Sequence, residues 1–220
     1  MIDSDFIKNS KLSIQNVSRE TLDELNRYSL SIIKKNRDIN LISSSTEKSI
    51  NIRHIEDSAQ TLDFIDKKDV NICTDLGSGA GLPGIVLAIL MKPKKPRFKV
   101  IIYEKSYHKS NFLKETSKKF KLNTEINQKN IFEQKDLKTD IIISRAFKPL
   151  PVIFEIASKN FKRFKYIILF LGKSGKEILK EASKKWKFDY EEKKSLTSDQ
   201  SLVVKIWNLK KKKWIKKLFQ

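Results

Sequence analysis

The sequence predicts a doubly wound α/β fold: a parallel sheet with helices on both faces, an antiparallel pair at one edge and a helical cap at the N-terminus. Three observations carry the prediction. From Val70 onward, short β-branched runs alternate with amphipathic stretches, the pattern of repeated strand–helix units. A glycine-rich stretch at residues 77–84 separates an apolar strand pattern from an apolar helix pattern, as a ligand-binding turn beyond the carboxyl end of a strand does. From Ser18 to about Ile65 the apolar pattern is helical.

Ser18 is a candidate N-cap for a helix in which Leu22, Leu25, Ile32 and Ile33 recur near a 3.6 period. A loop at 40–45 precedes a second helix with Ile52, Ile55, Ala59 and Leu62 on one face. The candidate strands are residues 72–76, 100–103, 125–127, 140–144, 166–171 and 202–207. Helical patterns occupy 85–91, 107–120, 152–160 and 176–185 between them. Polar residues, in place of a convincing helix, precede the final strand, so 187–191 and 202–207 are expected to pair antiparallel at one edge. The chain is thus expected to divide into a helical cap (1–66), a ligand-binding core (67–209) and a basic tail (210–220).

A length of 220 residues suits one domain with a substantial core. Lys and Arg number 46 against 26 Asp and Glu, a formal charge of +20. Such a surplus attracts phosphate backbones and supports a nucleic-acid partner. The accompanying wealth of Asn and Ile is also what nucleotide bias toward A and T produces, so the charge alone decides nothing. No apolar run approaches the roughly 18 residues of a membrane span, so no membrane association is expected. Asp3 and Asp5 and the lack of an apolar stretch near the start argue against a secretory leader. Cys73 has no intrachain partner, and with two histidines no metal site is expected. These readings place the chain in the cytoplasm, and a monomer is expected.

The most informative segment is Asp75-Leu76-Gly77-Ser78-Gly79-Ala80-Gly81-Leu82-Pro83-Gly84. Glycines let the backbone turn tightly and approach a ligand that a Cβ would obstruct. The second strand ends in Tyr103-Glu104, where a carboxylate can accept both hydroxyls of a ribose. Gly79, Gly81 and Gly84 with Glu104 satisfy a dinucleotide fingerprint. Asp75, Gly77, Gly79 and Gly81 equally satisfy the nucleoside-binding pattern of S-adenosylmethionine-dependent methyltransferases. The acidic residue at the strand end, the three alternating glycines and the lack of hydride-transfer machinery downstream favour the second reading over a nicotinamide-dependent oxidoreductase. Glycines that merely permit a tight turn account for one or two of them, not four with a matched carboxylate.

The fourth strand ends in Ser144-Arg145-Ala146-Phe147-Lys148-Pro149-Leu150, without the Asn/Asp-Pro-Pro-aromatic tetrad that grips exocyclic amines. Cys73 lies within the first strand and reads as core, so no cysteine is available to attack a pyrimidine. The absences point to a target that is already nucleophilic, such as a ring nitrogen. Together with Asn40-Leu41, Arg53-His54, Asp57-Ser58 and the Gly-Leu-Pro-Gly extension, the Ser144-Arg145-Ala146-Phe147 run resembles the bacterial 16S ribosomal RNA guanine-N7 methyltransferase family, also called glucose-inhibited division protein B. The likeness runs from about Asn40 to Trp207.

The resemblance implies the Rossmann-like sheet of class I methyltransferases and S-adenosyl-L-methionine as cofactor. It implies 16S ribosomal RNA or the small ribosomal subunit as partner. The expected cofactor-binding residues are Asp75, Gly77, Gly79, Gly81, Leu82, Glu104, Ile131, Phe132 and Arg145. Arg145 is also the expected catalytic residue, by positioning and without a general base. Where the family reads Arg-x-Glu-Glu after the third strand, this chain has Asn130-Ile131-Phe132-Glu133. Arg53, His54, Phe147 and Lys173 are the expected RNA contacts. Duller readings stand beside these: His54 as a packing residue, Asp57 and Ser58 as braces of the pocket, Phe147 as filler between helix and sheet. A methyltransferase acting on another RNA, a small molecule or a protein is the alternative within the fold, and a non-catalytic RNA-binding module the alternative outside it.

Overall fold

Ser18 opens the first helix as its pattern predicts, its Oγ accepting the Thr21 N–H at 3.3 Å, and α1 runs Arg19–Asn36. The computed structural model describes residues 17–65 and 68–213. Leu22, Leu25, Tyr28 and Ile32 form the buried stripe of α1. Next come a 3-10 turn (Ser44–Ser49), a π turn (Asn51–Glu56), the short α2 (Asp57–Ala59) and a second 3-10 turn (Gln60–Phe64). The expected regular second helix is therefore a composite. Ile55, Ala59 and Leu62 are buried as predicted, but Ile52 is 47% exposed, because the wide π turn shifts the face that points inward.

The strands are β1 (Ile72–Leu76), β2 (Lys99–Tyr103), β3 (Thr124–Asn127), β4 (Leu137–Lys138), β5 (Ile141–Arg145), β6 (Phe161–Arg163), β7 (Tyr166–Leu171), β8 (Trp186–Lys194) and β9 (Leu202–Lys211). The helices among them are α3 (Gly84–Met91), α4 (Tyr107–Lys119), α5 (Leu150–Asn160) and α6 (Gly175–Lys185). The seven-stranded sheet has the order β3-β2-β1-β5-β7-β9-β8, and β4 with β6 forms a small separate pair. All pairings in the large sheet are parallel except those of β9, which runs antiparallel to β7 and β8. The predicted edge pair is thus present, with β9 inserted between β7 and β8. A dinucleotide-binding sheet is parallel in the order 3-2-1-4-5-6, so this insertion departs from the oxidoreductase reading.

α3 is apolar all round, and every one of its residues is buried. It lies in one apolar cluster with the inner stripe of α1 and the strand residues Cys73, Val100 and Ile141. A helix without a polar face needs cover on all sides, and the N-terminal helices provide it. A second cluster, from Leu76 through Phe154 to Ile206, packs α5 and α6 on the opposite face of the sheet. The basic run expected to begin a tail at Lys210 starts inside the sheet, where Lys210 and Lys211 pair with Lys187 and Trp186, because β9 outlasts the predicted strand by four residues. The rest of that expected tail, from residue 214, lies outside the described residues. Among the described residues no helix is long and apolar enough to cross a membrane.

Chain order reverses between β1 and β5. The register sets Asp75 against Ile143, and Ser144 Oγ donates to the Leu76 carbonyl at 3.1 Å. The turn after β1 and the turn after β5 therefore emerge side by side, the place where an open α/β sheet forms its ligand crevice.

Candidate active site

Three adjoining cavities cross the carboxyl ends of β2, β1, β5 and β7. The first, about 350 Å³, is lined by Gly77, Tyr103, Glu104, Ile131, Phe132 and Phe147, with Lys105, Lys129 and Lys148 on its walls. The second, about 280 Å³, lies over the glycine turn and is lined by Gly77, Gly79, Leu82, Glu104, His54 and Arg145. The third, also about 280 Å³, is bounded by Arg53, Asp57, Arg145, Phe170 and the connection between β8 and β9. Gly77, Glu104 and Ala146 border the first two, and Arg145 and Ala146 border the last two.

The glycine turn is left-handed at Gly77 (φ +68°), Gly79 (+58°) and Gly81 (+98°), a conformation that Cβ-bearing residues resist. A Cβ on Gly77 would lie 2.0 Å from the Phe147 ring, which covers that face. Gly81 serves a different end: its open side meets Ile85, the Tyr28 hydroxyl and Leu113 within 3 Å, and it lines none of the three cavities. Its bareness lets the turn pack under α1 and α4, where the buried Tyr28 hydroxyl donates to the Ala80 carbonyl at 2.6 Å. The space beside Gly81, expected as a cofactor contact, is thus occupied by the protein's own core.

Asp75, also an expected cofactor contact, is likewise engaged by the turn itself. It is fully buried beneath the turn, where Oδ2 accepts from the Ser78 hydroxyl at 2.5 Å and the Gly84 N–H at 2.9 Å. The chain curls back over the carboxylate, so Asp75 braces the turn and lines no cavity. Burial pushes its pKa up to about 7, against the pull of those two hydrogen bonds. Since the folded value lies above the unfolded 3.8, this group stabilises the fold in acid, and the contribution is lost as pH rises through about 7. Asp75→Asn keeps one oxygen for Ser78 and Gly84 and removes the charge. The unfolding midpoint of that variant minus the parental one should grow by several degrees between pH 5 and 8, and a difference independent of pH would refute the assignment.

Glu104 stands as predicted at the end of β2. Oε2 accepts from the Gly79 N–H at 3.0 Å and Oε1 from the Ser106 N–H at 2.9 Å. Two backbone donors fix the carboxylate, while each oxygen keeps a lone pair for a further donor. Ile131 is buried and Phe132 half-exposed in the turn capped by Asn130, and both line the first cavity. The Phe132 and Phe147 rings lie 6.5 Å apart across it. Phe147 also packs on the second apolar cluster, so it covers the turn and fills space at once.

Arg145 is held from two sides. Its Nε meets Asp57 Oδ2 at 3.0 Å and its Nη2 donates to the Arg53 carbonyl at 2.7 Å. Asp57 Oδ1 accepts from Gln60 Nε2 (3.0 Å), Ser195 Oγ (3.0 Å) and Thr197 Oγ1 (2.7 Å). Arg53 itself is exposed and lends the site its carbonyl and a place at the mouth of the third cavity. His54 lines the central cavity. Thr46 Oγ1 donates to the Ser43 carbonyl at 2.8 Å and therefore accepts from His54 Nε2–H, also at 2.8 Å. Burial, then the nearby Arg145 charge, lowers the His54 pKa to about 4, so the ring is neutral near pH 7. Lys173, the remaining expected RNA contact, is exposed beyond β7 and lines none of the cavities.

The sequence reading missed Phe170, Thr197, Ser198 and Ser201 as cavity residues and Ser195 as a partner of Asp57. Nothing in their local pattern distinguishes them: Phe170 reaches the site as the β7 partner of Arg145, and the others through the connection between β8 and β9.

A family model described as rRNA small subunit methyltransferase G matches residues 21–203. A "Ribosomal RNA small subunit methyltransferase G" of Pelagibacter ubique is 48% identical over 203 residues, covering 91% of this chain and 95% of that protein. Its namesake in Ruegeria pomeroyi is 33% identical, covering 87% and 93%. Among solved structures, a SAM-dependent methyltransferase from Aquifex aeolicus shares the fold at a TM-score of 0.55 and 19% identity, covering 80% of this chain and 96% of that one. With a glycine turn, a fixed acceptor at β2 and a braced arginine at β5 on a sheet of this order, the chain belongs to the rRNA small subunit methyltransferase G family.

Proposed function

We propose that this protein transfers a methyl group from S-adenosylmethionine to N7 of a guanosine in 16S ribosomal RNA. The observation that carries the reading is the Glu104 carboxylate, fixed by two backbone N–H groups with lone pairs to spare beside a glycine turn in which Gly79 faces open space. This arrangement fits a nucleoside diol, with the adenine between Ile131 and Phe132 and the amino-acid end over Gly79 and Leu82. Bound there, S-adenosylmethionine supplies an electrophilic methyl group on sulfur.

The choice of acceptor follows from what the cavities lack. Among the described residues, Glu104 and Asp57 are the only carboxylates lining them, and both are engaged by donors. His54 has one ring nitrogen on Thr46 and the other buried. No group stands ready as a general base, so the acceptor must bring its own lone pair, as guanine N7 does. Arg145 and the cavity walls contribute by alignment and exclusion of water. N7 faces the narrow major groove of an RNA helix, so the target is an unpaired or splayed nucleotide. Lys105, Lys109, Lys129 and Lys148 around the first two cavities suit its flanking phosphates. The enzyme acts as a cytoplasmic monomer in this reading.

The test is mass-spectrometric mapping of methylated nucleosides in 16S rRNA from cells with and without the gene. One 7-methylguanosine should vanish on deletion and return on complementation. An unchanged map would overturn the proposal.

A further inference from the structure

We propose that the third cavity receives the methyl-accepting nucleotide, and that Asp57 is the positioning residue that aims Arg145 into it. This rests on the methyltransferase reading above and adds the surface that takes the RNA base and the device that shapes it. The cavity meets the central one at Arg145 and Ala146. A ring seated in it therefore lies across Arg145 and Ala146 from the space over the glycine turn.

The walls have the chemistry of a purine site. Phe170 offers an aromatic surface, Thr197, Ser198 and Ser201 offer hydroxyls, and the exposed Arg53 stands at the edge for a phosphate. Arg145 has five N–H donors, of which the bonds to Asp57 and the Arg53 carbonyl occupy two. Guanine presents two neighbouring acceptors, N7 and O6, on one edge, whereas adenine carries an amino donor beside its N7. An arginine N–H facing that edge donates to guanine O6 and opposes the adenine amino group, so Arg145 favours guanine while leaving N7 for the methyl group.

Asp57 sets this geometry from below. Its carboxylate is nearly buried, and its Oδ1 gathers donors from the N-terminal helical segment (Gln60) and from the β8–β9 connection (Ser195, Thr197), while Oδ2 takes Arg145. One side chain thus fixes both the reading arginine and the far wall of the cavity. Asp57→Asn can keep an oxygen toward those three donors while turning an amide N–H₂ toward Arg145, which releases the guanidinium and leaves the wall in place.

The test uses the full-length protein and small subunits from cells lacking the enzyme. A Cβ on Gly172, which lines the cavity, meets nothing within 4 Å, so Gly172→Trp fills the space without backbone strain, and Ser198→Trp fills it from the opposite wall. Both variants should bind S-adenosylhomocysteine with parental affinity and lose about 100-fold in methyl transfer, the scale of a misplaced acceptor. Asp57→Asn should lose about tenfold in kcat with cofactor affinity and KM unchanged, a split that a merely structural role does not produce. Ser195→Ala, which removes one donor to Asp57 at a residue lining none of the cavities, should show the same split at smaller size and serves if Asp57→Asn does not fold. Parental transfer by both Trp variants would overturn the cavity assignment, and parental kcat in the Asp57 and Ser195 variants would overturn the positioning role. A wild-type protein that transfers no methyl group would sink the methyltransferase reading, and this proposal with it.

Discussion

Gly77→Asp is expected to abolish cofactor binding. Gly77 has φ +68°, where an L-residue pays about 1–2 kcal/mol before any contact is counted. A Cβ there would stand 2.0, 2.5 and 2.7 Å from three atoms of the Phe147 ring, so the ring must leave its seat and uncover the wall between the first two cavities. The new carboxylate then enters the space that Glu104 borders, placing like charge beside a group that has to accept hydroxyls. The parental protein at 100 times the dissociation constant of S-adenosylhomocysteine gains about 2.7 kcal/mol, which raises the unfolding midpoint by roughly 5–10 °C. The variant should show no rise and no calorimetric heat. Gly77→Ala separates the causes, since it keeps the clash and omits the charge, and should lose most of the rise as well. A parental shift in Gly77→Asp would mean that the turn does not hold the cofactor.

The contrast between Gly77 and Gly81 shows what one dimension reveals. Both were legible as bare turn positions, because a left-handed backbone and an alternating glycine pattern leave a local trace. Which of them lines a cavity was not legible, since the neighbours of Gly81 come from α1, α3 and α4. The surroundings of Asp75 were hidden for the same reason: a carboxylate at a strand end looks available until Ser78 and Gly84 close over it. The strands and long helices announced themselves through period and β-branching, and even the antiparallel edge followed from a missing helix. The π turn at Asn51–Glu56 was hidden, because its buried Ile55 keeps a helix-like spacing to Ala59 in α2. The bonds joining Asp57 to Ser195 and Thr197 span 138 and 140 residues, beyond the reach of any local pattern.

Arg145→Ala should lower methyl transfer by about 100-fold, through loss of alignment at the acceptor. It should also cost stability, contrary to a purely catalytic part. Breaking a buried ion pair typically costs 3–5 kcal/mol, because the remaining charge is left without its partner. Here Asp57 keeps three donors on Oδ1, and the two side chains retain 11% and 18% exposure, which places the loss nearer 2 kcal/mol and the fall in unfolding midpoint at roughly 4–8 °C. The two effects can be separated by replacing the pair as a unit. Arg145→Met with Asp57→Leu removes both charges and fills similar volume, and such exchanges are often neutral or stabilising. The double variant should regain much of the lost midpoint and none of the lost turnover. If turnover returns together with stability, Arg145 is a strut between the helical cap and β5, and its guanidinium does nothing for the acceptor.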